Sequence, residues 1–243
     1  MVFKGIDLSK HNGVVDFAKV KAAGVQFVIL RAGFGKSASQ KDVRFEEYYT
    51  KAKAAGLDVG AYWFSYALNP ETAKQEAQAC ISCIQGKRFE YPIYFDLEDD
   101  PNSGSYPLKT GKSNCSAMVR AFCGELESAG YWAGLYISRS PLQTNITEDV
   151  AKRYALWIAE YNSRCNYGGI YGMWQYSATG RIDGIYGNVD MDECYMDYPT
   201  AVKKAKLNGY NKEIRYKAVI DGLTKAQADT IKAQYPTAAI TEV

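Results

Sequence analysis

The stretch KAAGVQFVILRAG, residues 21–33, closes a helix on glycine and opens at once into an apolar run. Glycine just past the last helical residue takes a left-handed backbone without a Cβ clash, so it is the usual C-terminal stop. The same local pattern returns as KAAGLDVGAYWFS at residues 53–65 and as ESAGYWAGLYIS at residues 127–138. Helix, glycine, strand and loop in repetition is the pattern of a parallel α/β sheet.

Extending that pattern predicts strands near residues 3–7, 25–31, 59–65, 92–98, 132–138, 154–160 and 171–177, with a weaker one at 181–190. Helices are expected over 16–23, 43–55, 70–84 and 116–129, the third with Asn69 as N-cap and Pro70 at its first position. Past Tyr136 the gaps shorten and the helical patterns fade. The fold class expected is therefore α/β: a TIM-like (β/α) barrel, regular in its first half and irregular in its second. That barrel should occupy residues 1–206. Residues 207–243 read as a linker, NGYNKE, followed by a small β-α-β extension whose helix is capped by Thr224. So short a segment holds no core of its own. It must pack on the barrel, pair with a second copy as a homodimer, or be half of something larger.

Composition narrows the function. The chain has 243 residues, 29 basic and 27 acidic, well mixed and without a basic stripe, so electrostatic binding of nucleic acid is not expected. No apolar run is long enough for membrane insertion. Aromatic residues reach 14%, with 20 tyrosines, many at the ends of apolar runs. Such rings could stack on sugar faces or simply fill a large core. The N-terminus lacks the apolar segment of a secretory signal. Of six cysteines, Cys80 and Cys83 form C-x-x-C inside a helical pattern, and the single histidine is His11; buried free thiols are expected rather than zinc or disulfides. No metal or other cofactor is expected.

Polar residues cluster where the strands should end: Asp7, Arg31, Ser65, Asp96 with Glu98, Ser138, Glu160, Gln175 and Asp190. In parallel barrels that end carries the active site. The stretch YPIYFDLEDD, residues 91–100, is the richest sector. Asp96 and Glu98 are two apart on a strand and so face the same way, while Leu97 faces the layer behind the sheet. Adjacent carboxyls in an apolar mouth repel and raise at least one pKa, so that one stays a proton donor while the other is ionised. Hydrolysis of a glycosidic bond needs that division. A magnesium or calcium site feeding phosphodiester hydrolysis is the other chemistry four carboxylates allow. Asp99 and Asp100 are expected only to face water.

The ordered set KGIDLSKHNG, FVILRAG, GAYWFSYA, YFDLED, GLYIS, LWIAEY and WQYSATGRIDGIYGNVDMD resembles the glycoside hydrolase family 25 lysozymes over about residues 3–198. The resemblance implies cleavage of the β-1,4 bond between N-acetylmuramic acid and N-acetylglucosamine in bacterial peptidoglycan. It implies Glu98 as general acid and base, Asp96 as the group that steadies the acetamido function, and Asp7 and Asp190 as shapers of the local field. It also implies Tyr62, Phe64, Trp157, Trp174, Tyr136, Gln175 and Arg31 as substrate-binding residues. His11 is assigned at most a substrate-loop contact, with a surface or packing role favoured. A substrate-assisted route is favoured because muramyl sugars carry an acetamide. The expected setting is the bacterial cell wall, reached by phage-type release or as a trimmed secreted form. A barrel that binds peptidoglycan without cutting it is the alternative.

Overall fold

The computed structural model describes residues 2–211, 222–235 and 241. The chain divides into a unit Met1–Asn211 and a unit Lys212–Val243. In the first, β1 (Phe3–Leu8), β2 (Phe27–Phe34), β3 (Asp58–Phe64), β4 (Ile93–Asp96), β5 (Ala133–Ser138), β6 (Ala155–Ala159), β7 (Met173–Gly180) and β8 (Val189–Cys194) close a barrel in sequence order.

The local signals account for the outer helices α1 (Phe17–Ala22), α2 (Phe45–Ala54), α3 (Pro70–Ile84) and α4 (Lys112–Ser128). Asp16 caps α1 by accepting from the amides of Ala18 and Lys19, and Asn69 caps α3 through Thr72 N–H. The three glycines of the repeated pattern, Gly24, Gly56 and Gly130, have φ of 91°, 73° and 84°, the left-handed turn that only glycine enters without strain. Between β5 and β6 lie two short helices, α5 (Arg139–Asn145) and α6 (Glu148–Arg153), and after β8 comes α7 (Tyr198–Ala205). The irregular half expected after Tyr136 thus still carries helices between β5 and β6, but β6, β7 and β8 follow one another without any.

β8 departs from the expected parallel sheet. It pairs antiparallel with both β7 and β1, and it begins at Val189, so most of residues 181–190 is loop. The physical cause is reach: a parallel return needs a crossover of a dozen or more residues, and the segment between Gly180 and Val189 is too short for one. The chain turns back at the mouth, and Asp190 lies there because β8 starts at that end, not because a strand finishes there.

Both faces of the wall are buried, which is why the strands read as continuous apolar runs. Ile6, Val28, Leu30, Phe95 and Leu97 pack into the layer beneath the helices, while Phe27, Ile29, Tyr94, Tyr136, Trp157 and Met173 fill the interior. Small residues make room for those rings. A Cβ on Gly5 would lie 2.2 Å from the Phe27 ring, and one on Gly134 2.5 Å from the Tyr94 ring. All six cysteines are free thiols, five of them buried.

The barrel unit runs past the expected boundary at 206. Asn208, fully buried, donates its side-chain amide to the Tyr91 carbonyl (2.9 Å) and accepts from the Trp132 amide (2.7 Å), so this part of the expected linker is tied into the wall. In the second unit α8 (Lys225–Gln234) carries the expected Thr224 cap, with Gln227 completing a capping box, and none of its residues is buried. The strands expected beside it lie outside the described residues. No described helix is long and apolar enough to cross a membrane.

Candidate active site

Register alone gathers the acidic residues. Asp7 on β1 sits opposite Asp190 on β8, Gln175 on β7 opposite Asp192, and Asp96 on β4 beside both Phe64 and Tyr136. Period-two alternation turns Asp7, Tyr62, Asp96, Tyr136, Gln175 and Asp192 to the interior side of their strands. Asp7, Asp96, Gln175 and Asp192 are buried, and Glu98 and Asp190 are part-exposed.

A hydrogen-bonded chain fixes the far side of this group. The Gln175 amide donates to Asp7 Oδ2 at 2.7 Å, and the Gln175 carbonyl accepts from Tyr136 O–H at 2.9 Å and from Tyr161 O–H at 3.1 Å. Below it the Trp157 indole N–H donates to Asp192 Oδ1 at 2.8 Å. Two phenols on its oxygen leave the Gln175 amide nitrogen pointing at Asp7, so the amide is fixed at both ends.

Crowding of carboxyls away from water raises their pKa values. Burial, then Asp192 and Asp190, push Asp7 well above the ordinary range. Burial and Glu98 do the same to Asp96. Glu98 is pushed up to about 7 by burial, then by Asp100 and Asp190. Burial raises Asp190 and carries Asp192 well above its ordinary value. A doubly ionised Asp96–Glu98 pair is costly here, so the pair keeps a proton into the neutral range. Asp96 Oδ1 is buried and accepts no hydrogen bond among the described residues, which leaves it open to a donor on a bound molecule.

Beside the carboxyls lies an open cleft of about 440 Å³, lined by Lys10, His11, Arg31, Phe34, Phe64, Tyr66, Glu98 and the loop from Asp99 to Asn102. Glu98 belongs to both cleft and acidic group. Arg31 is held at the cleft by Asp42, whose Oδ2 accepts from Nε–H at 2.7 Å and lies 2.7 Å from Nη2 as an ion pair. The amides of Lys10 and Arg44 complete the buried Asp42 carboxylate.

Several expected residues sit elsewhere. Trp157 is 1% exposed and edge-on to Tyr94 and Tyr136, a floor residue with no face for a sugar. Trp174 lies between the inward Met173 and Gln175, donates to the Glu160 carbonyl and packs on Tyr176, so its ring is on the outer face of the barrel wall. Ser65 donates to the buried Glu76 on α3, and the Glu160 carboxylate is taken by Arg139 and Asn166. Asp99 and Asp100 do more than face water: Asp99 accepts the Leu108 amide, and Asp100 accepts Asn102 N–H and Tyr66 O–H, shaping one cleft wall. His11 also lines the cleft, its pKa lowered by burial and then by Arg31 and Lys10. Among the described residues no group of three His, Cys, Asp or Glu side chains is placed to hold a metal ion.

Asp42, Tyr161 and Asp192 were not expected. Asp192 was accessible to the reasoning that found Asp96 and Glu98, since Asp190 and Asp192 are also two apart on one strand. Asp42 and Tyr161 sit on loops, where no periodicity marks them.

The geometry is thus a barrel of mainly parallel strands with crowded, upshifted carboxyls at its mouth and an open cleft beside them. The chain belongs to glycosyl hydrolase family 25, whose model matches residues 6–185. Asp190 and Asp192 fall just beyond that match. The chain is 32% identical over 191 residues to the autolytic lysozyme of Clostridium acetobutylicum, covering 78% of this chain and 55% of that protein. It is 28% identical over 208 residues to Lysozyme M1 of Streptomyces globisporus, covering 78% and 67%. The modular autolysin LytC from Streptococcus pneumoniae superposes with a TM-score of 0.72 at 27% identity, over 80% of this chain and 47% of LytC. The chain thus spans about half the length of two of these relatives.

Proposed function

We propose that the barrel is a muramidase, hydrolysing the β-1,4 bond between N-acetylmuramic acid and N-acetylglucosamine in bacterial peptidoglycan. The observation that carries this reading is the Asp96–Glu98 pair, with Glu98 poised at about 7 on the boundary between the acidic group and the open cleft. Family membership and likeness to proteins named lysozyme and autolysin support it.

In this reading Glu98, protonated, donates to the leaving glycosidic oxygen and in the second step, ionised, takes a proton from water. Asp96, whose Oδ1 has no partner among the described residues, accepts the acetamido N–H of the sugar and steadies the positive charge that develops as the acetamido carbonyl oxygen closes on the anomeric carbon. That substrate-assisted step needs no enzyme nucleophile. Asp7 and Asp190 shape the electrostatics around the pair, and the Tyr136, Tyr161 and Gln175 network holds Asp7 in place. Tyr62 and Phe64, both part-exposed at the end of β3, offer rings to the sugars, and Arg31 stands at the cleft wall.

The test is to incubate purified protein with peptidoglycan, with and without EDTA, and identify the reducing ends released. Muramic acid at the new end, unaffected by EDTA, is expected. Binding without new ends would make the barrel a non-catalytic wall binder, and EDTA sensitivity would point to metal-dependent chemistry. An N-acetyl-thiazoline type inhibitor should bind tightly; a sugar trapped covalently on Asp96 would refute the substrate-assisted route.

A further inference from the structure

The exposed apolar side chains of the barrel unit are unevenly placed. Val14, Val43, Leu68, Tyr161 and Tyr186 all lie on loops at the mouth, against Val2, Ile170, Tyr195 and Met196 elsewhere. The two most closely joined are Val14 and Tyr186. An isolated antiparallel bridge couples Val15 to Ile185, and the Asp16 amide donates to the Gly184 carbonyl at 2.9 Å. That register sets Val14 across from Tyr186 on the face opposite to Val15, which is buried. The result is a two-residue apolar platform, Val14 72% and Tyr186 97% exposed, pinned to the barrel from beneath.

Its position relates it to the cleft. Val14 follows the cleft residues Lys10 and His11 in one loop, and Tyr186 precedes Asp190 in another. We propose that Val14 and Tyr186 form an outlying glycan-binding site, which holds the sugar backbone of the glycan strand as it leaves the cleft. The proposal rests on the muramidase reading, because an enzyme that cuts inside a polymer must let the chain leave on both sides of the scissile bond. Sugar C–H faces stack on an exposed aromatic ring with apolar support beside it. The carboxylates of the mouth, with Asp183 exposed on the same loop as Tyr186, disfavour a polyanionic occupant such as a nucleic acid.

Tyr186→Ala combined with Val14→Ser removes the platform without touching the hydrogen-bonded network, and an unchanged melting temperature verifies the fold. Binding is read by co-sedimentation with purified, insoluble peptidoglycan, and turnover on that polymer and on a soluble tetrasaccharide fragment of it. An apolar stack of this size is worth about two- to tenfold in affinity, so the double variant should sediment more weakly by that factor. Its KM on the polymer should rise alike, with kcat/KM on the fragment unchanged and Tyr186→Phe close to the parent protein. Unaltered sedimentation and polymer turnover would overturn the proposal, as would an equal loss on polymer and fragment. Should the parent protein release no reducing ends, the muramidase reading fails, and co-sedimentation still decides the platform.

Discussion

Replacing Glu98 by glutamine keeps the shape of the side chain and removes its proton. With its pKa at about 7, Glu98 is half protonated at neutrality. A glutamate at its ordinary 4.5 would be protonated in only ~0.3% of molecules at pH 7, so the environment raises the available acid by roughly 150-fold. That factor falls at the lower end of the usual worth of a positioned acid–base group, and Glu98→Gln should lower turnover on peptidoglycan by at least about 100-fold. The assay is the release of reducing ends between pH 5 and 9, with co-sedimentation to show that wall binding persists. The parent should lose kcat/KM as pH rises through about 7, where Glu98 gives up its proton. The glutamine variant should show a flat residual rate over that range. Near-normal turnover in the variant, or an alkaline limb that survives the substitution, would refute the assignment of Glu98 as the acid.

Glu76, also raised to about 7 by burial, accepts from Ser65 O–H and the Tyr66 amide, and its linkage to stability has a definite sign. A carboxyl with a raised folded pKa contributes stability fully below its unfolded value, and that contribution is lost as pH rises through the folded value. From 4.5 to about 7 the difference is about 3 kcal/mol, so Glu76→Gln should gain on the parent by that order between pH 4 and pH 8 in urea unfolding. Asp42→Ala strands the Arg31 guanidinium and two backbone amides, and should cost about 3 kcal/mol or more in the same assay while weakening substrate binding in the cleft. Gly5→Ala would set a methyl 2.2 Å from the Phe27 ring, and the strain should lower stability by about 1–3 kcal/mol.

Much of the first half of the barrel is written in local signals. Gly24, Gly56 and Gly130 each stop a helix by a backbone conformation open to glycine, and Asn69 with Pro70 starts α3 at the residue expected. Such signals act within a few residues and can be read without knowing the fold. Asp96 and Glu98 were legible for a related reason: a strand alternates faces by geometry, so a spacing of two puts both on one side. Which face that is, and which tryptophan shares it, is another matter. Strands buried on both sides show no polar alternation to mark the interior, so Trp157 and Trp174 read alike, and only closure of the barrel sent one inward and the other out.

What the sequence determined by itself was the set of helix–glycine–strand units and the placing of the Asp96–Glu98 pair at the strand ends that form the mouth. The tertiary structure decided what depends on partners distant in the chain. It turned β8 antiparallel, so that Asp190 and Asp192 enter the mouth from a strand that begins there. It gave Arg31 to Asp42, joined Gln175 to Asp7 across 168 residues of sequence, and tied Asn208 to the barrel wall. Each of these is a pairing between segments that carry no mark of one another, and only the closing of the barrel brings their polar groups within hydrogen-bonding distance.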